Sequence, residues 1–318
     1  MKSSFAGPER AVRPWHGRIA SRWADWALLV VPGVIWGASF LFIAEGLAAV
    51  APTGVTFTRI AIGFLTLSLF PSARRPVARS DWAGTAALGV LWFAFPLTMF
   101  PFAEQHVSSA LTGMLNGATP LFVAVVATVL AHRLPERGII AGLVIGFSGA
   151  VVMAVPALGG SSSAFGIALI VAALASYGLA LNVARPLQQR NGAIPVVWRA
   201  LGVAVILTAP MGLPAVISGH WTLRPALAML ALGAGGTAIA MVLTLIAAGR
   251  IGATKASATA FLIPVVALVL GVVIRHESVT MISLLGAAIC LLGAAVIRDP
   301  QILRTVLPRR LMGVAARI

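Results

Sequence analysis

Residues 251–300 read IGATKASATAFLIPVVALVLGVVIRHESVTMISLLGAAICLLGAAVIRDP, and residues 107–156 read VSSALTGMLNGATPLFVAVVATVLAHRLPERGIIAGLVIGFSGAVVMAVP. A shift of 144 positions lays one on the other without a gap. Pro120 falls on Pro264, His132 on His276, Gly142 on Gly286, Gly149 on Gly293 and Pro156 on Pro300. The same shift holds upstream, where Ala87-Leu88-Gly89 falls on Ala231-Leu232-Gly233. Chance identities are frequent in a chain so rich in small apolar residues, so the ungapped spacing of proline and glycine carries the weight. A repeat this long is a duplicated half-protein rather than a solenoid unit.

Composition says where such a chain resides. It has 318 residues, 59% hydrophobic and 10% charged, against about 25% charged in soluble domains. Mean hydropathy is +1.00, which places it among polytopic membrane proteins. The single cysteine, Cys290, excludes a disulfide framework and a multi-thiolate metal site. Neither a metal nor a cofactor is expected.

Apolar runs divide the chain into ten predicted spans, because a helix needs about 20 residues to cross the hydrocarbon core. They are 26–44, 53–70, 82–103, 107–130, 138–155, 164–186, 194–217, 226–248, 251–274 and 279–297. Spanning strands would instead alternate over about ten residues. The fold class predicted is an all-α polytopic membrane protein of ten transmembrane helices. The first run follows a basic segment, 1–25, and is longer than the 7–15 or so residues of a signal-peptide core, so it reads as an uncleaved first helix. The domains read as 1–25, a first five-helix repeat at 26–156, a linker at 157–163, a second repeat at 164–297 and a basic tail at 298–318.

Positive charge orients the spans. With the N-terminus inside, 19 of the 23 Lys and Arg residues fall inside, Arg224 and Arg275 fall outside, and Arg59 and Arg199 fall within spans. Both termini are thus expected in the cytoplasm, with the linker outside. The net charge of +15 becomes an orientation signal whose counter-charge is anionic lipid headgroups, and nucleic acid is not an expected partner. Five spans per half force the second copy to enter from the opposite side. This 5+5 inverted repeat is the arrangement of secondary transporters.

The chain resembles the drug/metabolite transporter superfamily, EamA type, over about residues 26–297. Trp36-Gly37-Ala38-Ser39 in span 1, Arg59 in span 2 after Pro52, and Ala253-Thr254-Lys255-Ala256-Ser257 followed by Pro264, Glu277, Gly286 and Gly293 carry the likeness. The first half departs from it, since Arg133 stands where the second copy has Glu277. The resemblance implies a central cavity lined by spans 1, 3, 4, 6, 8 and 9. It further implies transport of a small organic solute, such as an amino acid, another metabolite or a drug, often outward.

Eight polar or aromatic residues within spans are candidate solute contacts. Arg59, Arg199 and Lys255 suit a carboxylate or phosphate, and equally suit snorkelling to an interface. Asn116 and Asn182 lie deeper and bond either a solute or a neighbouring helix. Pro120 removes the hydrogen bond normally given to residue 116, leaving the Asn116 carbonyl a candidate acceptor. Trp36, Trp92 and Tyr177 offer faces for a planar solute, or core packing. Pairs such as Gly142 and Gly146 have the GxxxG spacing of close helix packing, within one chain or between chains.

All eight acidic residues and all five histidines sit at span ends or in loops. The expected mechanism is therefore uniport or exchange rather than a proton relay. No catalytic constellation is legible: an intramembrane enzyme would want paired carboxylates or a nucleophile with its base. A channel would want charge rings or a carbonyl filter.

Overall fold

The computed structural model describes residues 18–154, 163–275, 280–299 and 301–302. The linker 157–162, Glu277, the segment before Arg18 and the tail beyond Ile302 lie outside the described residues. Among those described, the chain is helical throughout and contains no strand. The first rod is α1 (Arg18–Leu47) and the second α2 (Pro52–Ser68). The third is α3 (Trp82–Leu88), which passes through a π-helical segment, Gly89–Ala94, into α4 (Phe95–Ala103). A broken rod of α5 (Ser109–Asn116) and α6 (Thr119–Ala131) follows, then α7 (Arg137–Ala154). The later half holds α8 (Ala164–Asn191), α9 (Ala193–Ile217), and α10 (Leu223–Leu230), which runs through π-helical Ala231–Ile239 into α11 (Ala240–Ile251). The ninth rod is α12 (Ala253–Ser257), a 3-10 turn at Ala258–Phe261 and α13 (Leu262–Arg275); α14 (Met281–Arg298) is the tenth.

Among the described residues, seven rods are long and apolar enough to cross a membrane. The other three are short. α2 has 17 residues, a rise of about 26 Å, and α7 and α14 have 18 each. These stand at the lower edge of the roughly 17–25 residues that suit a bilayer. Large apolar side chains such as Leu69, Ile206, Met211 and Leu285 are exposed on the outside of the bundle, where lipid rather than water is their favourable solvent.

The 144-residue spacing recurs in the backbone. The bounds of α7 shifted by 144 are those of α14. Gly89 and Ala94, the ends of the first π segment, map onto Gly233 and Ala238 inside the second. The break between α5 and α6 at Gly117 maps onto Phe261, at the 3-10 turn. α7 and α14 also pack on each other, closely enough that glycine is required: a Cβ at Gly142 would stand 2.8 Å from the Ile297 amide nitrogen. Cβ atoms at Gly149 and Gly293 would collide with the backbones of Cys290 and Gly146 respectively. The Cys290 thiol donates to the Gly146 carbonyl at 3.4 Å, and residues 146 and 290 are themselves 144 apart.

Local chemistry sets the helix ends. Ser108 caps α5 by accepting from the Leu111 amide at 3.2 Å, and Ser163 caps α8 by accepting from Phe165. Gly192 and Gly252, at φ of 82° and 92°, make the sharp turns α8–α9 and α11–α12. Ion pairs gather at the rod ends. Arg190 and Arg250 bind Asp81 (2.7 Å) and Asp25 (3.3 Å) at the end rich in cations, and Arg224 binds Glu45 at the opposite end. Between them lie two apolar clusters, one around Phe40, Ile43, Leu111 and Phe261, the other around Ile60, Trp92, Phe93 and Leu245. Trp36 and Tyr177 pack against both, so they stand where the clusters meet.

Candidate functional site

A pocket of about 590 Å³, counting the open space at its mouth, lies at that junction. Its wall is mainly apolar and aromatic: Trp36, Phe40 and Ile43 from α1, Trp92 and Phe100 from the third rod, Tyr177 and Leu181 from α8, Met241 from α11, and Ile263 from α13. Few polar groups interrupt it, namely Ser39, Arg59, Asn116, Thr119, Thr244, Ser257 and Thr259. An apolar pocket with a small number of convergent polar groups is the usual form of a small-molecule site. The lining comes from spans 1, 3, 4, 6, 8 and 9, with span 2 added through Arg59.

The π segments build much of this wall. A π turn holds one residue more than the α ladder accommodates and leaves backbone groups for other partners. The Gly236 carbonyl accepts from Trp36 Nε1 at 2.8 Å, which fixes the indole against the cavity. Thr237 donates to the Leu232 carbonyl at 3.1 Å and accepts from Arg59 Nε at 3.2 Å. In the third rod, the Leu91 carbonyl accepts from Ser176 at 2.7 Å, one residue before Tyr177.

Arg59 is the cavity's charge. Its side chain is 3% exposed, in a span where an arginine costs about 2.5–3.5 kcal/mol on insertion scales. Among the described residues no carboxylate forms an ion pair with it. Its Nε donates to the Thr237 hydroxyl, and the four N–H groups of its terminal nitrogens have no hydrogen-bond acceptor among the described residues. Tyr177 and Glu104 lie within electrostatic reach. The Thr244 and Thr259 hydroxyls, each 1% exposed, also lack a partner among the described residues. A buried polar group left unpaired costs about 1–3 kcal/mol, so this wall holds hydrogen-bonding capacity that the protein itself does not use.

Five of the eight sequence candidates meet here: Trp36, Arg59, Trp92, Asn116 and Tyr177. The Asn116 carbonyl is not left open as Pro120 suggests, because the Thr119 hydroxyl donates to it at 2.7 Å and reaches Oδ1 at 3.1 Å. Asn182 binds the Val123 and Gly178 carbonyls through Nδ2 and, with Lys255, lines a second hollow toward the cation-rich end. Arg199 lies in neither space. It donates to the Ala73 and Pro195 carbonyls and sits 5.5 Å over Trp198, tying α9 to the 71–74 turn. Sequence reasoning missed Phe40, Phe100, Thr244 and Thr259. Phe100 packs against Phe40 and Tyr177 at 5.7 and 5.9 Å, a cluster assembled from three rods that no local pattern reveals.

The EamA-like transporter family model matches residues 24–155 and again 164–298. The chain belongs to that family. A probable terminal-alkyne amino-acid exporter of Streptantibioticus cattleyicolor is 28% identical over 279 residues, covering 86% of this chain and 93% of the relative. An uncharacterized transporter of Archaeoglobus fulgidus is 21% identical over 272 residues, 86% of this chain and 98% of that one. The uncharacterized transporter YoaV of Bacillus subtilis is 26% identical over 270 residues, 82% and 91%. A crystal structure with TM-score 0.69 and 19% identity covers 90% of this chain and 99% of its own, and shares the fold. As a member of the EamA family, the chain is an integral, multi-pass membrane transporter, and the family implies a small-molecule cargo.

Proposed function

We propose that this transporter exports an amino-acid-like or other carboxylate-bearing solute with an apolar side chain across the cytoplasmic membrane, by alternating access around the central cavity. The observation that carries the reading is Arg59, a buried guanidinium with no carboxylate partner among the described residues, set in an aromatic box. A solute carboxylate supplies the missing counter-charge, and charge-assisted bonds to arginine are the stronger class. Trp36, Trp92, Phe100 and Tyr177 receive the apolar part. Thr244 and Thr259 satisfy a polar group at the other end of the solute.

Two halves at 144-residue spacing, with five rods in each, support a 5+5 inverted repeat. Exchange of conformation between such halves converts inward-open to outward-open states. The cation-rich ends of the rods are cytoplasmic by the charge rule, and both termini lie on that side. The amino-acid export named for the Streptantibioticus relative supports the cargo class.

The test is a ligand screen by thermal unfolding of the purified protein, with apolar and polar amino acids, their amides and their decarboxylated amines. A ligand at 100 times its dissociation constant stabilises the folded state by about 2.7 kcal/mol. The reading holds if apolar amino acids shift the transition while their amides and amines do not. It fails if amines shift it as strongly as the acids.

A further inference from the structure

A hollow of about 1220 Å³, counting the solvent at its mouth, opens between α6, α8 and residues 251–255 at the cation-rich end. Two cations line it, Arg185 and Lys255, and its lining contains no acid. Two other cations of this end are paired. Arg190 is bonded to Asp81 and Arg250 to Asp25, whereas Arg185 and Lys255 make no ion pair among the described residues. Two like charges converging on one hollow repel each other, and a mobile anion between them removes that repulsion.

The hollow shares its walls with the central cavity. Leu181 faces the cavity and Asn182 the hollow; Ala256 faces the cavity and Lys255 the hollow. Adjacent positions of α8 and α12 thus line the two spaces. The charge-driven orientation of membrane loops explains why cations lie at this end, but not why two of those without an ion pair line one hollow.

We propose that this hollow is an oxyanion-binding vestibule, in which Arg185 and Lys255 hold the carboxylate or phosphate of a solute before it passes to the central cavity. The loading role rests on the transport reading above; oxyanion binding at Lys255 does not. The chemistry also fits an anionic lipid headgroup, so the test separates the two.

Lys2 and Lys255 are the only lysines in the chain. Reductive methylation with ¹³C-formaldehyde keeps their charge and gives few signals, and Lys255→Arg assigns the one from the vestibule. The labelled full-length protein, in phosphatidylcholine nanodiscs, is titrated with inorganic phosphate and with acetate, against chloride at equal ionic strength. The expected result is a saturable shift of the Lys255 signal with both oxyanions and none with chloride. Arg185→Gln then weakens phosphate binding by about fivefold, the scale of one partly exposed charge contact. A signal that neither oxyanion moves overturns the proposal. So does one that moves only when phosphatidylglycerol replaces phosphatidylcholine, which identifies a lipid site. Arg59→Gln, which removes the central charge, leaves the Lys255 titration intact, so failure of the vestibule and failure of the cavity reading give different results.

Discussion

At the scale of single residues, some polar groups of the cavity are bonded within the protein and others are the ligand contacts proposed above. Arg59 is the clearest of the second kind. Arg59→Gln is expected to weaken binding of a carboxylate solute by roughly tenfold to a hundredfold, since hydrogen bonds to charged groups contribute about 1.5–3 kcal/mol. Thermal-shift titration of wild type and variant reads this, and equal affinities remove Arg59 from the site. The two unpaired hydroxyls give a prediction with opposite signs. Thr244→Val or Thr259→Val removes a buried group without a partner, so the apo protein gains up to about 1 kcal/mol while the ligand-induced shift shrinks. Loss of apo stability in both variants means that these hydroxyls are paired in solution. Arg199, by contrast, is spent on the Ala73 and Pro195 carbonyls. The sequence places both arginines within spans at similar depth and cannot distinguish them, because the difference is which neighbour each meets: Thr237 for one, the 71–74 turn for the other.

Elements show where the sequence is legible and where it is not. The rods follow from apolar runs, and their broken points follow from punctuation such as Pro120 beside Gly117. The π segments do not, since nothing in Gly89–Ala94 or Ala231–Ile239 announces an inserted residue; the distortion becomes favourable when the side chains of Trp36, Thr237 and Ser176 bond carbonyls within them. The spacing of Gly142 and Gly146 announces a close helix contact, but not that α14 is the partner, because spacing on one helix does not name the helix it meets. Gly149→Ala puts a methyl into the Cys290 backbone, where the obstacle is main chain and cannot rotate away. The expected cost is about 1–3 kcal/mol of overpacking, read as a lower unfolding temperature in detergent. Gly235→Ala is the control, for its Cβ would meet Ile35 at an ordinary 3.6 Å, and helical alanine is favoured over glycine by about 1 kcal/mol. If both variants unfold alike, the α7–α14 contact is looser than the structure has it.

For the whole molecule, the asymmetry that matters is charge. Arg190 and Arg250 are balanced by Asp81 and Asp25 at one end, Arg224 by Glu45 at the other. The unpaired vestibule cations lie behind the first end and Glu104 lines a hollow of about 860 Å³ at the second. With an anionic solute, a basic inner mouth and an acidic outer mouth favour capture on the first side and release on the second, because the local potential raises anion concentration at one and lowers it at the other. This export polarity depends on the orientation proposed from loop charges, and Cys290 makes that orientation measurable. It is the chain's single cysteine and is fully buried, so the wild type gives little background with a membrane-impermeant maleimide. Ser218→Cys, exposed near the acidic mouth, is expected to label in intact cells, while Ser80→Cys, exposed at the basic end, labels only after the membrane is opened or inverted. The reverse pattern places both termini outside and turns the same charge gradient into a preference for uptake. Labelling of both positions in intact cells, with the membrane shown to be sealed, means that the chain inserts in two orientations and that loop charge does not decide its direction.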